Sequence, residues 1–435
     1  MARTPDSQAD PSVVMRAATF NRRRRRRHIG YALLKRRRLR AGVVQLVYVA
    51  VAVGLGLLIP QVSIGSAVES SRATEMLVAV GGGFVPFIGI VYSMLFLVVQ
   101  FGSTTFTPRL NLFRDDPIVW HAFSFFTAVI VFAFTALFEI GSASETTVLV
   151  PIVLGIAVLA AIALLRSLQT AAFRSIQLAS ILDQVGRRGR EVIDGVHPEA
   201  LRISDGGGRA SSDGGAPLVE MAEGGHDVFW GQRSSVLQTL DVSRLLHLAE
   251  REDARIHVCV APGETVSDRG RVAVVLGAPN LPDREVLEAL RVGHERTFDQ
   301  DPALALRLLA DIALRALSPA INDPTTAVQT LDSIADLLLV LVGRDLGVVM
   351  VDGADRTPRV VLKLPTWEDY VSVALDEVIG MRLDSVHVCR RVYRLLEDLL
   401  AVAPPEHHDA VEARLESVAR RLGPRARPGP PPGQA

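Results

Sequence analysis

Four windows within the first 165 residues contain no Asp, Glu, Lys or Arg: 41–68, 76–108, 118–138 and 146–165. No other feature limits the fold as much. About 20 apolar residues at roughly 1.5 Å per residue cross a hydrocarbon core of about 30 Å, and helices of water-soluble cores rarely stay uncharged so long. The windows predict four spanning helices, at 41–60, 77–101, 118–138 and 146–166. Gly65, Ser66 and Ala67 behind the first apolar run leave a cleaved leader as the alternative for that span. The long basic stretch ahead of it and the length of the run favour a retained helix.

The formal net charge of zero conceals a strong division. Residues 1–40 carry 13 basic and 2 acidic side chains, residues 41–165 carry 3 and 6, and residues 166–435 carry 31 and 39. A basic tail, an apolar block and an acidic globular part follow one another. Lys and Arg beside span ends stay on the cytoplasmic side. The tail, with Arg22, Arg23, Arg24, Arg25, Arg26 and Arg27, therefore belongs inside, as do Arg109 and Arg114 between the second and third spans. The 139–145 turn has no basic residue and reads as external. Four crossings return the chain to the cytoplasm, so both termini are expected there. Arginine far outnumbers lysine, which occurs only at Lys35 and Lys363, a bias typical of GC-rich bacterial genomes. The expected location is a bacterial plasma membrane.

The second span holds Gly81, Gly82, Gly83, Pro86 and Gly89. Small residues let helix backbones approach closely in lipid, and proline removes a ladder bond, so a packing contact or a hinge is expected at Gly82, Pro86 and Gly89. The span interiors lack ionisable groups, which disfavours an ion-coupled pump. Ser93, Gln100, Ser124 and Thr127 either line a passive path or bond neighbouring helices. In the inner loop, Arg109, Arg114 and Asp115 are candidates for coupling the spans to the cytoplasmic part. The simpler alternative is that the arginines set topology and the carboxylates complement a helix start. The arginine cluster at 22–27 is expected to meet anionic lipid headgroups rather than nucleic acid.

Beyond the spans, Leu165, Leu168, Ala172, Ile176, Ala179 and Leu182 keep helical spacing and predict a projecting stalk over 167–203. Residues 204–228 begin with a Gly-, Ser- and Asp-rich run and read as a linker. A mixed domain is expected over 229–422. Its strands are placed at 236–240, 255–261, 271–276, 347–351 and 359–364, its helices around 242–253 and 283–292, and its end is all helix. A Pro- and Arg-rich tail completes 423–435. Asp301-Pro302 and Asp323-Pro324 each announce a helix start, the carboxylate capping free amides and the proline suiting the first turn. The loop at Asn322 and Asp323 is the candidate for meeting a cytoplasmic partner. Helices around 386–400 and 411–422, separated by Pro404-Pro405, predict a hairpin or an oligomer seam.

Chemical constellations are sparse. Cys259 and Cys389 are too few for a disulfide framework. His257 and Cys259, and likewise His387 and Cys389, offer zinc-ligand types, but residues two apart diverge on the predicted helix around 389. No phosphate-binding loop, nucleophile elbow, HExxH or dinucleotide glycine pattern occurs, so no enzyme class, metal or cofactor is expected.

Two stretches carry a resemblance: Thr107-Pro-Arg-Leu-Asn-Leu-Phe-Arg-Asp115 and Ala316-Leu-Ser-Pro-Ala-Ile-Asn-Asp-Pro324. Together with Val260-Ala-Pro-Gly-Glu-Thr-Val266 and His294-Glu-Arg-Thr-Phe298, they resemble the bacterial membrane-protein family called domain of unknown function 2254. The likeness runs from about residue 40 to about residue 425. It implies an integral membrane protein with a cytoplasmic domain and supplies no reaction. The sequence therefore predicts a multi-pass helical membrane protein, four spans followed by a mixed α/β and then all-helical cytoplasmic domain. Its leading functional expectation is a homo-oligomeric, passive, gated pathway, and its alternative is a membrane-anchored sensor or scaffold.

Overall fold

The computed structural model describes residues 42–62, 66–105, 117–141, 143–197, 225–355, 357–381 and 385–422. The chain divides into two compact units, the second beginning at Gln177.

The first unit contains four helices long and apolar enough to cross a membrane. They are α1 (Gly42–Gln61), α2 (Ser70–Thr105), α3 (Pro117–Ile140) and α4 (Leu149–Ile176). Each contains most of one charge-free window, and α2, α3 and α4 run past the expected ends of 77–101, 118–138 and 146–166. Helix α3 is the central one, with 44% of its apolar window buried against 11–17% for the others. One cluster packs Ala52, Leu77, Phe132, Ala133, Ala136 and Leu154, and a second packs Val91, Leu95, Phe126, Ala161 and Leu168. A short ribbon pairs β1 (Ala67–Glu69) antiparallel with β2 (Glu145–Thr147), and Gln61 donates to the Glu139 carboxylate over 2.9 Å.

Close helix approach occurs at two glycines. A Cβ at Gly81 would stand 3.0 Å from the Ala133 methyl, and one at Gly56 would fall on the Thr135 hydroxyl. Gly82, Gly83 and Gly89 would meet nothing within 4 Å. Helix α2 continues through Pro86.

The second unit differs first at its entrance. In place of one stalk over 167–203, the helix stops at Ile176, Gln177 is extended, and a new helix α5 (Leu178–Val196) begins. Helix α5 buries Ile181, Leu182, Val185, Val192 and Ile193. Its Gly189 lies against Ala305 and Leu337, so its apolar stripe is spent inside this unit and not on a projecting rod. Residues 198–224, which hold most of the predicted linker, lie outside the described residues.

The linker expectation over 204–228 ends too late, because β3 (His226–Phe229) is already paired in a sheet. There follow β4 (Ser235–Leu240), α6 (Val242–Arg251), β5 (Arg255–Val258), β6 (Thr265–Val266), β7 (Arg271–Leu276), α7 (Asp283–Leu287) and β8 (Leu290–Gly293). The helix expected over 283–292 thus stops after five residues. Its second half pairs with β4 as a strand, because Leu290 and Val292 oppose Leu240 and Leu237. Two long helices come next, α8 (Ala303–Ala316) and α9 (Pro324–Leu341), and then the hairpin β9 (Val348–Asp352) and β10 (Pro358–Lys363). Helix α10 (Trp367–Val371) passes through a π-helical turn into α11 (Glu377–Gly380), and α12 (Val386–Val402) and α13 (His408–Leu422) close the unit as a helical pair.

The strands form a five-stranded sheet, β3-β7-β5-β10-β9, and a three-stranded sheet, β6-β4-β8. Among the described strands only β5 and β10 pair in parallel. The sheets share a core including Val228, Leu237, Leu245, Ile256, Val272, Val286 and Val360. Helices α5, α8, α9 and α12 bury their own apolar faces, with Leu306, Leu309, Leu331, Leu338, Val392 and Leu396 inaccessible.

Candidate functional site

Several predicted positions, Arg22, Arg23, Arg24, Arg25, Arg26, Arg27, Arg109, Arg114 and Asp115, lie outside the described residues. Gly82, Pro86 and Gly89 are described and share one exposed face of α2 with Ser93, whose hydroxyl donates to the Gly89 carbonyl over 2.9 Å. Asn322 and Asp323 lie between α8 and α9. Asn322 takes a left-handed φ of 48° and donates its amide to the Ser318 carbonyl. Asp323 accepts from the Thr326 amide at 3.0 Å and the Thr326 hydroxyl at 2.6 Å, bonds that hold its carboxyl below the usual range. The Asp323 carboxylate is thus committed to capping α9, while Asn322 and Ile321 remain exposed.

His257 and Cys259 lie on β5 and just beyond it. Burial lowers the imidazole pKa and raises that of the thiol. Among the described residues no three His, Cys, Asp or Glu side chains gather as a metal site would require.

The most constructed polar region is one that local pattern did not disclose: the segment 294–302 between β8 and α8, with the groups around it. The Arg296 guanidinium grips Asp301 in a two-pronged pair, Nε to Oδ2 at 2.6 Å and Nη2 to Oδ1 at 2.9 Å. Asp301 is 1% exposed and also accepts from the Leu304 amide, capping α8 as its Asp-Pro sequence predicts. Gly263, at φ 94°, passes so close that any side chain there would fall on this carboxylate. The Gln300 side chain bonds both backbone groups of Leu240, at 2.8 and 3.1 Å, and Gln238 donates to the Glu295 carbonyl at 2.8 Å. These contacts fasten the three-stranded sheet to the start of α8.

Two titratable groups are unusual, one within the segment and one joined to it through Tyr370. Half-buried Asp299 is pushed up to about 7 by desolvation. His197, at the end of α5, is fully buried and pushed down to about 4 for the same reason, the Asp345 carbonyl partly opposing. Its Nδ1 lies 3.2 Å from that carbonyl and its Nε2 lies 2.8 Å from the hydroxyl of fully buried Tyr370. A carbonyl only accepts, so Nδ1 carries the proton and Tyr370 donates to Nε2. Burial raises the Tyr370 pKa, with Asp301 adding to the effect, so the donor keeps its proton. Arg344 completes the anchor, donating to the His197 carbonyl at 3.0 Å and to Asp194 at 2.7 Å. Chemically, the region holds a paired charge, a neutral His–Tyr bond and one carboxyl that exchanges its proton near neutrality.

The chain matches the family described as "Predicted membrane protein (DUF2254)" over residues 39–398. It is similar to an uncharacterized protein of Mycobacterium bovis and to one of Mycobacterium tuberculosis, each 29% identical over 373 residues, which is 80% of this chain and 68% of the relative. No solved structure matches it. A family match spanning both units, with four apolar helices in the first, places the chain in the DUF2254 family of predicted membrane proteins.

Proposed function

We propose that this protein works as a homo-oligomer in the bacterial plasma membrane, forming a passive gated pathway controlled by a cytoplasmic second unit. The observation that carries this reading is the α2 face of Gly82, Pro86, Gly89 and Ser93. It is exposed, lacks bulk, and has nothing within 4 Å of a Cβ at Gly82 or Gly89. Such a face suits the close approach of another copy in lipid, where packing drives association. The charge-free span windows disfavour coupled transport and leave passive flow. In this reading the arginines at 22–27 hold anionic headgroups, at about 1 kcal/mol each near the surface, and Arg109, Arg114 and Asp115 transmit the state of the cytoplasmic unit. The test joins two measurements on full-length protein. Ser93→Cys should cross-link between copies in membranes, and proteoliposomes should pass ions or small solutes that Gly82→Leu blocks. Cross-linking without any flux would remove the pathway.

One observation favours the second reading, a membrane-anchored sensor or scaffold that meets a cytoplasmic partner through the exposed Asn322 loop. The hydroxyls of Ser93, Thr127, Thr135, Ser167 and Thr170 each bond a carbonyl of their own helix, which diminishes their value as a conduit lining. Stoichiometric recovery of a partner that Asn322→Arg abolishes, with flux absent, would support it.

A further inference from the structure

The five-stranded sheet has two edges, and they are built differently. Edge strand β3 is short, irregular between Val228 and Phe229, and polar at His226 and Asp227. It is flanked by α7, whose Asp283 lies 3.2 Å from His226 Nε2. Those are the usual protections against pairing with another chain. Edge strand β9 reads Val-Val-Met-Val-Asp, pairs only with β10 among the described strands, and leaves Val348 54% and Met350 53% exposed. The irregularity in its ladder falls between Pro358 and Val360, so Val348–Val351 is left regular.

The direction of its free hydrogen-bonding groups follows from the ladder. Gly347 bonds Leu364 and Pro365, and Gly353 bonds Thr357, all toward β10. Antiparallel strands alternate, so Val349 and Val351 also turn their amides and carbonyls inward, while Val348, Met350 and Asp352 turn theirs outward. The same three residues carry the exposed side chains.

We infer that β9 is a self-association edge, pairing antiparallel with β9 of a second copy about a two-fold axis through Met350. In this register Val348 opposes the second copy's Asp352, and Met350 opposes itself. All outward amides and carbonyls of the three residues are satisfied, giving one continuous sheet across two copies. The charges select this occupant. On β10, Lys363 is the neighbour of Val348, so it lies two strands, roughly 10 Å between backbones, from the second copy's Asp352. Its long side chain reaches over Val348 toward that carboxylate, and symmetry makes the contact twice. Neither Lys363 nor Asp352 has an ion-pair partner among the described residues. Lys363 is one of only two lysines in a chain that otherwise uses arginine. This edge lies in a different unit from the α2 face, so the two contacts stand or fall separately.

The test uses full-length protein in native membranes, with Cys259 and Cys389 replaced by serine. Directly opposed residues of a hydrogen-bonded antiparallel pair have Cα atoms about 5.5 Å apart, within disulfide range. Mild oxidation of Met350→Cys should give a covalent homodimer in more than half of the chains. Asp352→Lys should cut that yield at least fivefold, and the exchange Asp352→Lys with Lys363→Asp should restore it. Monomeric Met350→Cys under conditions where Ser93→Cys cross-links would overturn the β9 contact and leave the α2 reading intact. Cross-linking of Met350→Cys to a chain of another mass, as an extended peptide added to the edge would give, would also overturn it. So would a dimer yield indifferent to both charge variants.

Discussion

His197 gives the sharpest energetic expectation, because its partners fix both its tautomer and its charge. In the unfolded chain its imidazole titrates near 6.5, and in the folded unit near 4. The neutral form is the one that folding favours. Its contribution is therefore fully present above pH 6.5 and is lost as the pH falls from there through about 4. A separation of about 2.5 units corresponds to about 3 kcal/mol when the loss is complete, and about 2 kcal/mol of that is gone at pH 5. For a unit of this size, 2 kcal/mol displaces the melting midpoint by about 4–8 °C. The assay follows thermal unfolding of the full-length protein in detergent by tryptophan emission, since Trp230 and Trp367 are both buried in the second unit. Between pH 7.5 and 5 the wild type should lose about 4–8 °C more than His197→Gln, which has no proton to gain. Other titrating groups, Asp299 included, act equally on both proteins and cancel in the difference. Tyr370→Phe should cost about 1–3 kcal/mol at pH 7.5 by stranding Nε2, and should shift the sensitive window toward neutrality. Melting curves of wild type and His197→Gln that fall in parallel would refute both the assigned tautomer and the burial argument.

Three further outcomes follow from packing and charge. On α5, Gly186→Ala meets open space and should stabilise by about 0.5–1 kcal/mol through helix propensity, whereas Gly189→Ala places its methyl 2.7 Å from that of Ala305 and should destabilise. Opposite shifts in melting midpoint from the same substitution three residues apart would establish the close α5–α8 crossing. Asp323→Ala removes the cap of α9 and should cost about 1 kcal/mol in chemical unfolding, with Asp323→Asn recovering most of it. For Asp299 the folded carboxyl titrates near 7 against 3.8 when unfolded, so folding loses stability as the pH rises through that window. Asp299→Asn should therefore raise the midpoint at pH 8 and make little difference at pH 4, and the reverse pattern would show that Asp299 finds a cationic partner.

What was legible in the sequence follows the range of the interaction concerned. The four apolar helices were readable because the cost of a charge in hydrocarbon acts on each residue separately, and a charge-free window records it. The caps of α8 and α9 were readable because an Asp-Pro pair reaches only three residues ahead, to Leu304 and Thr326. The break at Gln177 was not, since the apolar stripe runs through it without a change of period. Beyond it α5 packs inside the second unit, its Gly189 against Ala305 and Leu337, more than 100 residues away, a contact that no local pattern records. Strand β8 escapes local pattern for a related reason. Val286, Leu287 and Leu290 fit a helix equally well, and only the opposed Leu240 and Leu237 turn residues 290–293 into a strand. The polar region lies furthest beyond local pattern. Arg296 and Asp301 meet across a loop without periodicity, and His197 finds Tyr370 at a separation of 173 residues. Such contacts leave one indirect trace in the sequence, a glycine where bulk is excluded. Gly263 lies within Val260-Ala-Pro-Gly-Glu-Thr-Val266, and its left-handed backbone against the Asp301 carboxylate gives that stretch a physical reason. In this chain the informative glycines are those pressed against a distant group, Gly56, Gly189 and Gly263. Gly82 and Gly89 differ from these: among the described residues nothing lies within 4 Å of a Cβ at either, so no contact within the first unit accounts for their small size, and the proposed contact with another copy is what would give it a reason.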